Sequence, residues 1–497
     1  MTSSGALLIC GATSGAGKST ITAALARSWA RRGLRVAPFK AQNMSNHAAV
    51  TVDNGEVGRA QAMQAAAAGV PLDRRMNPIL LKPSSEVGSH LVVMGDERSV
   101  TDAQTYGATS RDLRSTVLDA FTSLRSDYDW VVAEGAGGAA EINLLDRDLV
   151  NLPLAKAAGM PAIVVVDIEP GGAFAAAHGT VDLLPPELRA MVAGVIINKF
   201  RGDSRLLDSG LATLEERTGV PVLGVLSFLD DHLPLGVEDS LNLHAGPRSA
   251  VRSERPVRVV ALRLPHLANP ADLDPFLIEP DVEFRWAMRP EEMHDADLIV
   301  VPGSRATVAD LAWLRERGFE PVLSHTEAIV VGVCAGYQML GRTIRDDVES
   351  QAGVVAGLGL LDVETTFERP KLVRRSRGRA DGEEVDGYQI RFGRPSGEGR
   401  PWLELDGEPE GCVARSDTVF GSSLHGLFDA DGFRSGLLRS VASRRDREYA
   451  PAAVGFADEL EAYHDRLADW LEADLYDIDR LQTIAATADT VEEAPGW

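Results

Sequence analysis

A short apolar run, Ala6-Leu7-Leu8-Ile9-Cys10, leads into Gly11-Ala12-Thr13-Ser14-Gly15-Ala16-Gly17-Lys18-Ser19-Thr20, and an amphipathic stretch follows to Arg32. Few folds accommodate that order. A glycine-rich turn between strand and helix points successive backbone N–H groups into one concave site, and the helix N-terminus behind them adds its dipole, so the segment reads as a phosphate cradle. Lys18 is placed to reach the β- and γ-phosphates and the Ser19 hydroxyl to ligate magnesium, with Thr13, Gly15, Gly17 and Thr20 completing the nucleotide site. The usual first glycine of such a loop falls at Ala12, and Gly11 stands one residue early. The strand Arg35-Val36-Ala37-Pro38-Phe39 then closes a strand, loop, helix, strand unit.

Further apolar runs of strand length end at Glu134, Asp167, Asn198 and Leu226, with helical stretches between them. The alternation predicts a parallel sheet covered on both faces, whose ligands bind beyond the carboxyl ends of the strands. Glu134 closes one such strand and precedes Gly135-Ala136-Gly137-Gly138, which makes it the expected magnesium carboxylate; the alternative is a helix-capping role. Magnesium takes hard oxygens and keeps several waters, so one or two protein ligands suffice. Asn198 and Lys199, at another strand end, are candidates for the adenine edge, with ordinary turn residues as the alternative.

A second signature lies far downstream, in Gly332-Val333-Cys334-Ala335-Gly336-Tyr337-Gln338. A cysteine on a tight strand-to-helix turn projects at a helix N-terminus, where the dipole favours thiolate and flanking glycines remove steric conflict. His425, in Ser422-Ser423-Leu424-His425-Gly426-Leu427-Phe428, is the expected base. Triad amidotransferases usually carry a glutamate two residues beyond this histidine, and here that position is Leu427. The expectation is therefore a Cys334–His425 dyad, the imidazole being oriented by a backbone group or by a residue that the sequence does not identify. The Ala335 N–H and one from Pro302-Gly303-Ser304, represented by Gly303, are the expected oxyanion donors, and Gln338 is expected to contact glutamine. Cys10 and Cys412 lack such surroundings and read as structural.

Together the two signatures describe a coupled reaction: a nucleotide site turns a carboxylate oxygen into a leaving group, and a thiol frees ammonia from glutamine to replace it. Other features narrow the class. At 497 residues the chain exceeds one ordinary hydrophobic core. A formal net charge of -23 opposes general binding to nucleic acid or anionic membrane, and three scattered cysteines form no CxxC or metal cluster. No apolar run reaches the roughly 18 residues of a membrane span, and no signal-type segment opens the chain, so a cytoplasmic protein is expected. The sequence divides into a synthetase domain over 1–230, a proline- and glycine-bearing linker over 231–256, an amidotransferase-like domain over 257–450, and a C-terminal helix and tail over 451–497. Arg369 to Glu384 is read as an exposed loop or hairpin tip, Phe456 to Leu481 as helical, and Ala485 to Trp497 as a disordered tail.

Longer blocks carry a family resemblance. They include Ala37-Pro38-Phe39-Lys40-Ala41-Gln42-Asn43-Met44, Gly58-Arg59-Ala60-Gln61, Met76-Asn77-Pro78-Ile79-Leu80-Leu81-Lys82-Pro83, Glu141-Ile142-Asn143-Leu144 and Ile196-Ile197-Asn198-Lys199-Phe200-Arg201-Gly202-Asp203. With the cysteine and histidine motifs they make the chain resemble the cobyric acid synthase family from about residue 5 to about residue 430. The resemblance implies an α/β architecture: an N-terminal P-loop parallel-sheet domain like that of dethiobiotin synthetase, whose phosphate loops share the displaced glycine, and a C-terminal class I, triad-type glutamine amidotransferase-like domain. It also implies ATP, magnesium (Mg2+), glutamine and a corrinoid, with amidation of the b, d, e and g carboxylates of adenosylcobyrinic acid a,c-diamide. Corrinoid contacts are then expected among Gln42, Asn43, Arg59, Gln61, Asn77, Lys82, Asp146 and Arg147. Three stretches depart from the family pattern: Glu169-Pro170 replaces Asp-Arg, Gln389-Ile390-Arg391 replaces Glu-Ile-His, and Ser422-Ser423 replaces Thr-Tyr. The nearest rival is cobyrinic acid a,c-diamide synthase, against which Lys40-Ala41-Gln42-Asn43-Met44 speaks. A rival of another class is a P-loop switch ATPase joined to an inactive amidotransferase-like binding module, against which the intact Cys334 and His425 speak.

Overall fold

The computed structural model describes residues 4–83, 89–101, 103–229, 253–414 and 416–488. Its first layer is a six-stranded sheet in the order Val222–Ser227, Val192–Phe200, Ala162–Asp167, Gly5–Gly11, Trp130–Glu134, Val36–Phe39, with every pairing parallel. The central strand shows why both faces must be covered. Ala6, Leu8 and Cys10 join one buried cluster while Leu7 and Ile9 join another on the opposite face, the period-two alternation of a strand with no solvent side. Burying each such Leu or Ile side chain contributes roughly 1.5–3 kcal/mol.

The helix Ala103–Asp127 covers the first face through Val117, Phe121 and Leu124. The other face receives the helix Lys18–Arg31 and, unexpectedly, the helix Phe456–Asp474 from the far end of the chain. Tyr463, Leu467 and Leu471 pack in one cluster with Leu25 and Trp29, and the ion pairs Arg27–Asp465 at 2.8 Å and Arg31–Asp469 at 2.7 Å run along its rim. The rim pairs are partly exposed and contribute little beside the apolar burial. A last helix, Ile478–Ala485, ends with buried Ala485 against Gly5, where any β-carbon would overlap the Ala485 carbonyl. Ala485 is thus core rather than tail; residues 489–497 of the expected tail, and 231–252 of the expected linker, lie outside the described residues.

Between Val36–Phe39 and Trp130–Glu134 the chain makes an insertion with a small sheet, Gln42–Met44, Ile79–Pro83, Ser89–Val93 and Asp96–Thr101, and a two-stranded ribbon, Ala48–Val50 with Glu56–Gly58. The second large sheet runs Val282–Ala287, Val257–Leu262, Leu298–Val301, Ile329–Val333, Val419–Ser422 in parallel, with Cys412–Val413 antiparallel at its edge. The polar stretch from Arg369 belongs to a long antiparallel hairpin, Glu364–Ala380 with Glu383–Ser396, turning at Asp381-Gly382. The hairpin alternative holds, and its length carries it back to the ribbon of the first half. No described helix is long and apolar enough to cross a membrane.

Candidate active site

At the carboxyl end of the strand Gly5–Gly11 the phosphate loop turns into its helix. Gly17 has φ +95°, a left-handed conformation costly for other residues, and a β-carbon there would overlap the Asn198 amide. Gly11 is required for a different reason: a β-carbon would lie 2.7 Å from the Thr13 carbonyl oxygen. Lys18 folds over the loop, donating to the carbonyls of Thr13 at 3.0 Å, Ser14 at 2.9 Å and Gly137 at 3.1 Å. Asn198 donates to the Ala16 carbonyl at 2.8 Å, and Lys199 to the Gly15 carbonyl and the Asp167 carboxylate, both at 2.7 Å. Both residues therefore brace the cradle from the next strand but one of the sheet. Thr13, Gly15 and Thr20 sit on the same turn and the first helical turn.

Glu134 is buried at the end of its strand, and Ser19 Oγ donates to its Oε1 at 2.7 Å. Lys40, in the loop after the neighbouring strand Val36–Phe39, donates to the same oxygen at 2.8 Å, and Gln64 donates to Oε2. Burial alone would raise the Glu134 pKa, but the Lys40 charge and the hydrogen bonds from Lys40, Ser19 and Gln64 hold it below the usual carboxylate range. No group of three or more His, Cys, Asp or Glu residues suited to a metal occurs among the described residues. A hydroxyl and an ionised carboxylate oxygen in contact still match a cation that keeps most of its waters and takes phosphate oxygens. Lys40 belongs to this site although the sequence singled it out only as part of a block; its spacing from the phosphate loop carries no signal.

The expected corrinoid residues separate into groups. Asn43 donates to Gln61 at 3.0 Å, and Asn77 bonds the Lys40 and Ile79 carbonyls and the Gly58 N–H at 2.9–3.0 Å, so these buried amides brace the insertion from inside. Lys82 pairs with buried Glu56 at 2.6 Å. Arg59 faces the second half, with its charge near the Tyr388 hydroxyl. Gln42 is half-buried, whereas Asp146 and Arg147 are exposed.

In the second half Cys334 occupies the predicted elbow, with φ 52° and ψ -107°, between Ile329–Val333 and Ala335–Leu340. Gly336 permits it, since a β-carbon would overlap the Val301 carbonyl oxygen. His425 lies across from it, and a β-carbon at Gly303 would stand 3.2 Å from His425 Cε1 and 3.9 Å from Cys334 Cβ. Gly303, Ala335 and Gln338 line the same cleft. Gln338 Oε1 is buried and has no hydrogen-bond partner among the described residues, an acceptor left for a ligand.

The orientation of the imidazole, which the sequence leaves to a backbone group or to an unidentified residue, comes from a side chain. Asp272, on the 3-10 segment Pro270–Ile278, meets His425 Nδ1 at 2.7 Å and accepts the Gly426 N–H at 3.1 Å. Leu427 leaves the usual position empty of charge, and a carboxylate 153 residues upstream fills the role through space. Burial alone would lower the His425 pKa, but the Asp272 carboxylate, seconded by Cys334, carries it up to about 10. The imidazole is thus held as imidazolium beside the Cys334 sulfur. Tyr388 stacks on it at 5.2 Å between centroids, and their backbones exchange two hydrogen bonds.

The departures from the family pattern fall around this cleft or on the surface. Arg391 lines the cleft, bonded to Gln389 at 3.1 Å, and Gln389 in turn donates to Ser376. Ser422 Oγ and the Ser423 N–H both donate to Glu410, at 2.7 and 2.8 Å. Glu169 is exposed and faces Arg201 at 3.4 Å.

Residues 7–234 match the family described as the CobQ/CobB/MinD/ParA nucleotide binding domain, and residues 258–433 match the CobB/CobQ-like glutamine amidotransferase domain. Among curated proteins, the cobyric acid synthases of Frankia casuarinae and Nocardia farcinica are each 46% identical to the chain over 97% of its length, covering 97% and 96% of their own. That of Rhodococcus jostii is 47% identical over 95% of the chain and 94% of its own length.

Proposed function

The chain belongs to the cobyric acid synthase family, and on that premise we propose that it amidates the b, d, e and g carboxylates of adenosylcobyrinic acid a,c-diamide with ammonia drawn from glutamine. At the coarser level it is a glutamine-dependent, amide-forming ligase of cobalamin biosynthesis with a nucleotide-binding domain that uses ATP. The observation that carries the finer reading is the pairing in one chain of a Ser19–Glu134 phosphate site with a Cys334–His425–Asp272 cluster.

In the amidotransferase half, Cys334 Sγ attacks the glutamine carboxamide carbon. The Ala335 N–H and the Gly303 turn face the developing oxyanion, His425 delivers the proton with which ammonia leaves, and water then releases glutamate from the thioester. Asp272 holds the imidazole with Nε2 toward the sulfur. In the nucleotide-binding half, Lys18 leaves the loop carbonyls to meet the phosphates, while Asn198 and Lys199 fix the loop at the adenine side. Magnesium, held by Ser19 and Glu134, would neutralise phosphate charge as the γ-phosphoryl group passes to a corrinoid carboxylate. Ammonia then displaces phosphate from the acyl phosphate and forms the amide.

For the corrinoid, the loops leaving the adjacent strands Val36–Phe39 and Trp130–Glu134 carry Met44, Ile142 and Leu144, each about half exposed, with Asp146 and Arg147 beyond them. Apolar side chains beside polar ones at the carboxyl edge of the sheet suit a broad apolar ring fringed with carboxylates and amides. Gln42 belongs to the same insertion, inside which Asn43, Gln61 and Asn77 are buried, whereas Lys82 lines the Cys334 cleft. The test is incubation with ATP, glutamine and each corrinoid precursor, locating added amides by mass spectrometry; four additions to the a,c-diamide are expected, and none on any corrinoid would overturn the reading.

A further inference from the structure

One residue of the nucleotide-binding half, Ala48, bonds both to the segment that carries Asp272 and to the ring stacked on His425. The Ala48 N–H donates to Asn269 Oδ1 at 2.9 Å, and the Ala48 carbonyl accepts from the Tyr388 hydroxyl at 3.1 Å. Asn269 is the residue that starts the 3-10 segment bearing Asp272, and its own N–H donates to His47 Nδ1 at 3.2 Å. Tyr388 is the ring stacked on His425. The segment bearing the orienting carboxylate, which meets the imidazole edge, and the ring stacked on the imidazole face are thus both tied to the ribbon Ala48–Val50.

The ribbon continues into the helix Arg59–Ala67, whose Arg59 and Gln64 face different sites. The Arg59 charge lies near Tyr388 and the carboxylates Asp272, Asp274 and Asp429. Gln64, five residues on, donates to Glu134 at the phosphate site. Five residues of helix span about 7.5 Å and transmit displacement with little loss, because the intrahelical hydrogen bonds make the segment a rigid rod. Burial pushes the Tyr388 phenol pKa up, so the hydroxyl remains a donor to Ala48 across the working pH range.

We propose that residues 48–67 form a coupling element through which occupancy of the Glu134 site sets the position of Tyr388 and Asp272 around His425, so that glutamine is hydrolysed fast only when the nucleotide site is loaded. A shift of Glu134 as phosphate and magnesium arrive moves Gln64, the helix and the ribbon. Asn269 and Tyr388 follow, since the ribbon holds them by single hydrogen bonds. Tyr388 and Asn269 are positioning residues, acting on the reaction through His425. This rests on the reading of the two sites given above.

The test uses the full chain and measures ammonia release from saturating glutamine with and without magnesium-ATP plus the corrinoid a,c-diamide. In the unaltered enzyme the loaded state raises kcat by about tenfold, a usual size for site-to-site coupling, with little change in KM for glutamine. Tyr388→Phe keeps the stacked ring and removes the hydroxyl, and Asn269→Gly keeps the left-handed backbone and removes the acceptor. Both variants should bring the stimulation to within about twofold of none, while amidation driven by added ammonia continues. Unstimulated hydrolysis in the unaltered enzyme, full stimulation in both variants, or loss of ammonia-driven amidation along with stimulation would each overturn the coupling. Absence of amidation from either nitrogen source in the unaltered enzyme would instead overturn the proposed function.

Discussion

Asp272 and His425 meet at 2.7 Å across 153 residues of chain, the aspartate on a 3-10 segment at the edge of one sheet and the histidine just past a strand of the same sheet. Their contact turns a cysteine–histidine pair into a triad whose carboxylate comes from a position that no local motif marks.

Replacing Asp272 by Asn should lower glutamine hydrolysis by about a hundredfold or more, since the imidazole loses its orientation as well as its charge partner. The pH profile distinguishes these effects. His425, with a pKa of about 10, stays imidazolium through neutral pH, so the alkaline limb of the wild-type profile lies near 10 and moves to lower pH in Asp272→Asn. The sign for stability follows: a histidine raised from about 6.5 contributes stability fully below that value and loses it as pH rises through about 10. The stability deficit of the variant, measured by urea denaturation, should therefore be largest near pH 6 and shrink toward pH 10.

Cys334→Ala and Lys18→Ala should dissect the two halves. The first removes the nucleophile and should cut glutaminase activity at least about a thousandfold while ammonia-driven amidation persists. The second should block amidation from either nitrogen source while some glutaminase activity remains, as measured by glutamate release. Amidation at the normal rate in Lys18→Ala would remove the phosphate loop from the reaction.

Lys40 and Glu134 form a buried pair, and breaking one partner leaves an uncompensated charge in the interior. Lys40→Met should cost about 3–5 kcal/mol of folding free energy by denaturant titration, and Lys40→Met/Glu134→Gln should recover a large part of it. If the single variant is as stable as wild type, the ion pair has no structural role.

Leu467 is buried with Trp29 and Leu471 although it belongs to the last tenth of the chain. Leu467→Ala should cost about 2–5 kcal/mol. The loss should appear in ammonia-driven amidation at elevated temperature before it appears in glutaminase activity. The reverse order would mean that this helix supports the amidotransferase half instead.

Much of this was legible along the chain because the signals are local. Gly11–Thr20 and Gly332–Gln338 each place strand, turn and helix within a few residues, and backbone sterics at Gly17 and Gly336 dictate the turn whatever surrounds it. The apolar runs ending at Asp167 and Asn198 became parallel neighbours because alternating strands and helices leave little other choice. The roles of Arg59, Asn77 and Lys82 were less legible: a polar residue in a family block reads alike whether it faces a substrate or satisfies the interior.

Cradle, elbow and two α/β sheets thus follow from residue order, since each depends on neighbours within a turn or on strand periodicity. Folding in three dimensions settled the rest: Asp272 supplying the third charge, Lys40 and Gln64 sharing Glu134, the final helices returning to the first sheet, and Ala48 joining the two halves. These contacts span from 70 to more than 400 residues of chain. What selects them is the cost of leaving a buried charge or backbone group unpaired, and that cost is known only once the fold has decided what is buried.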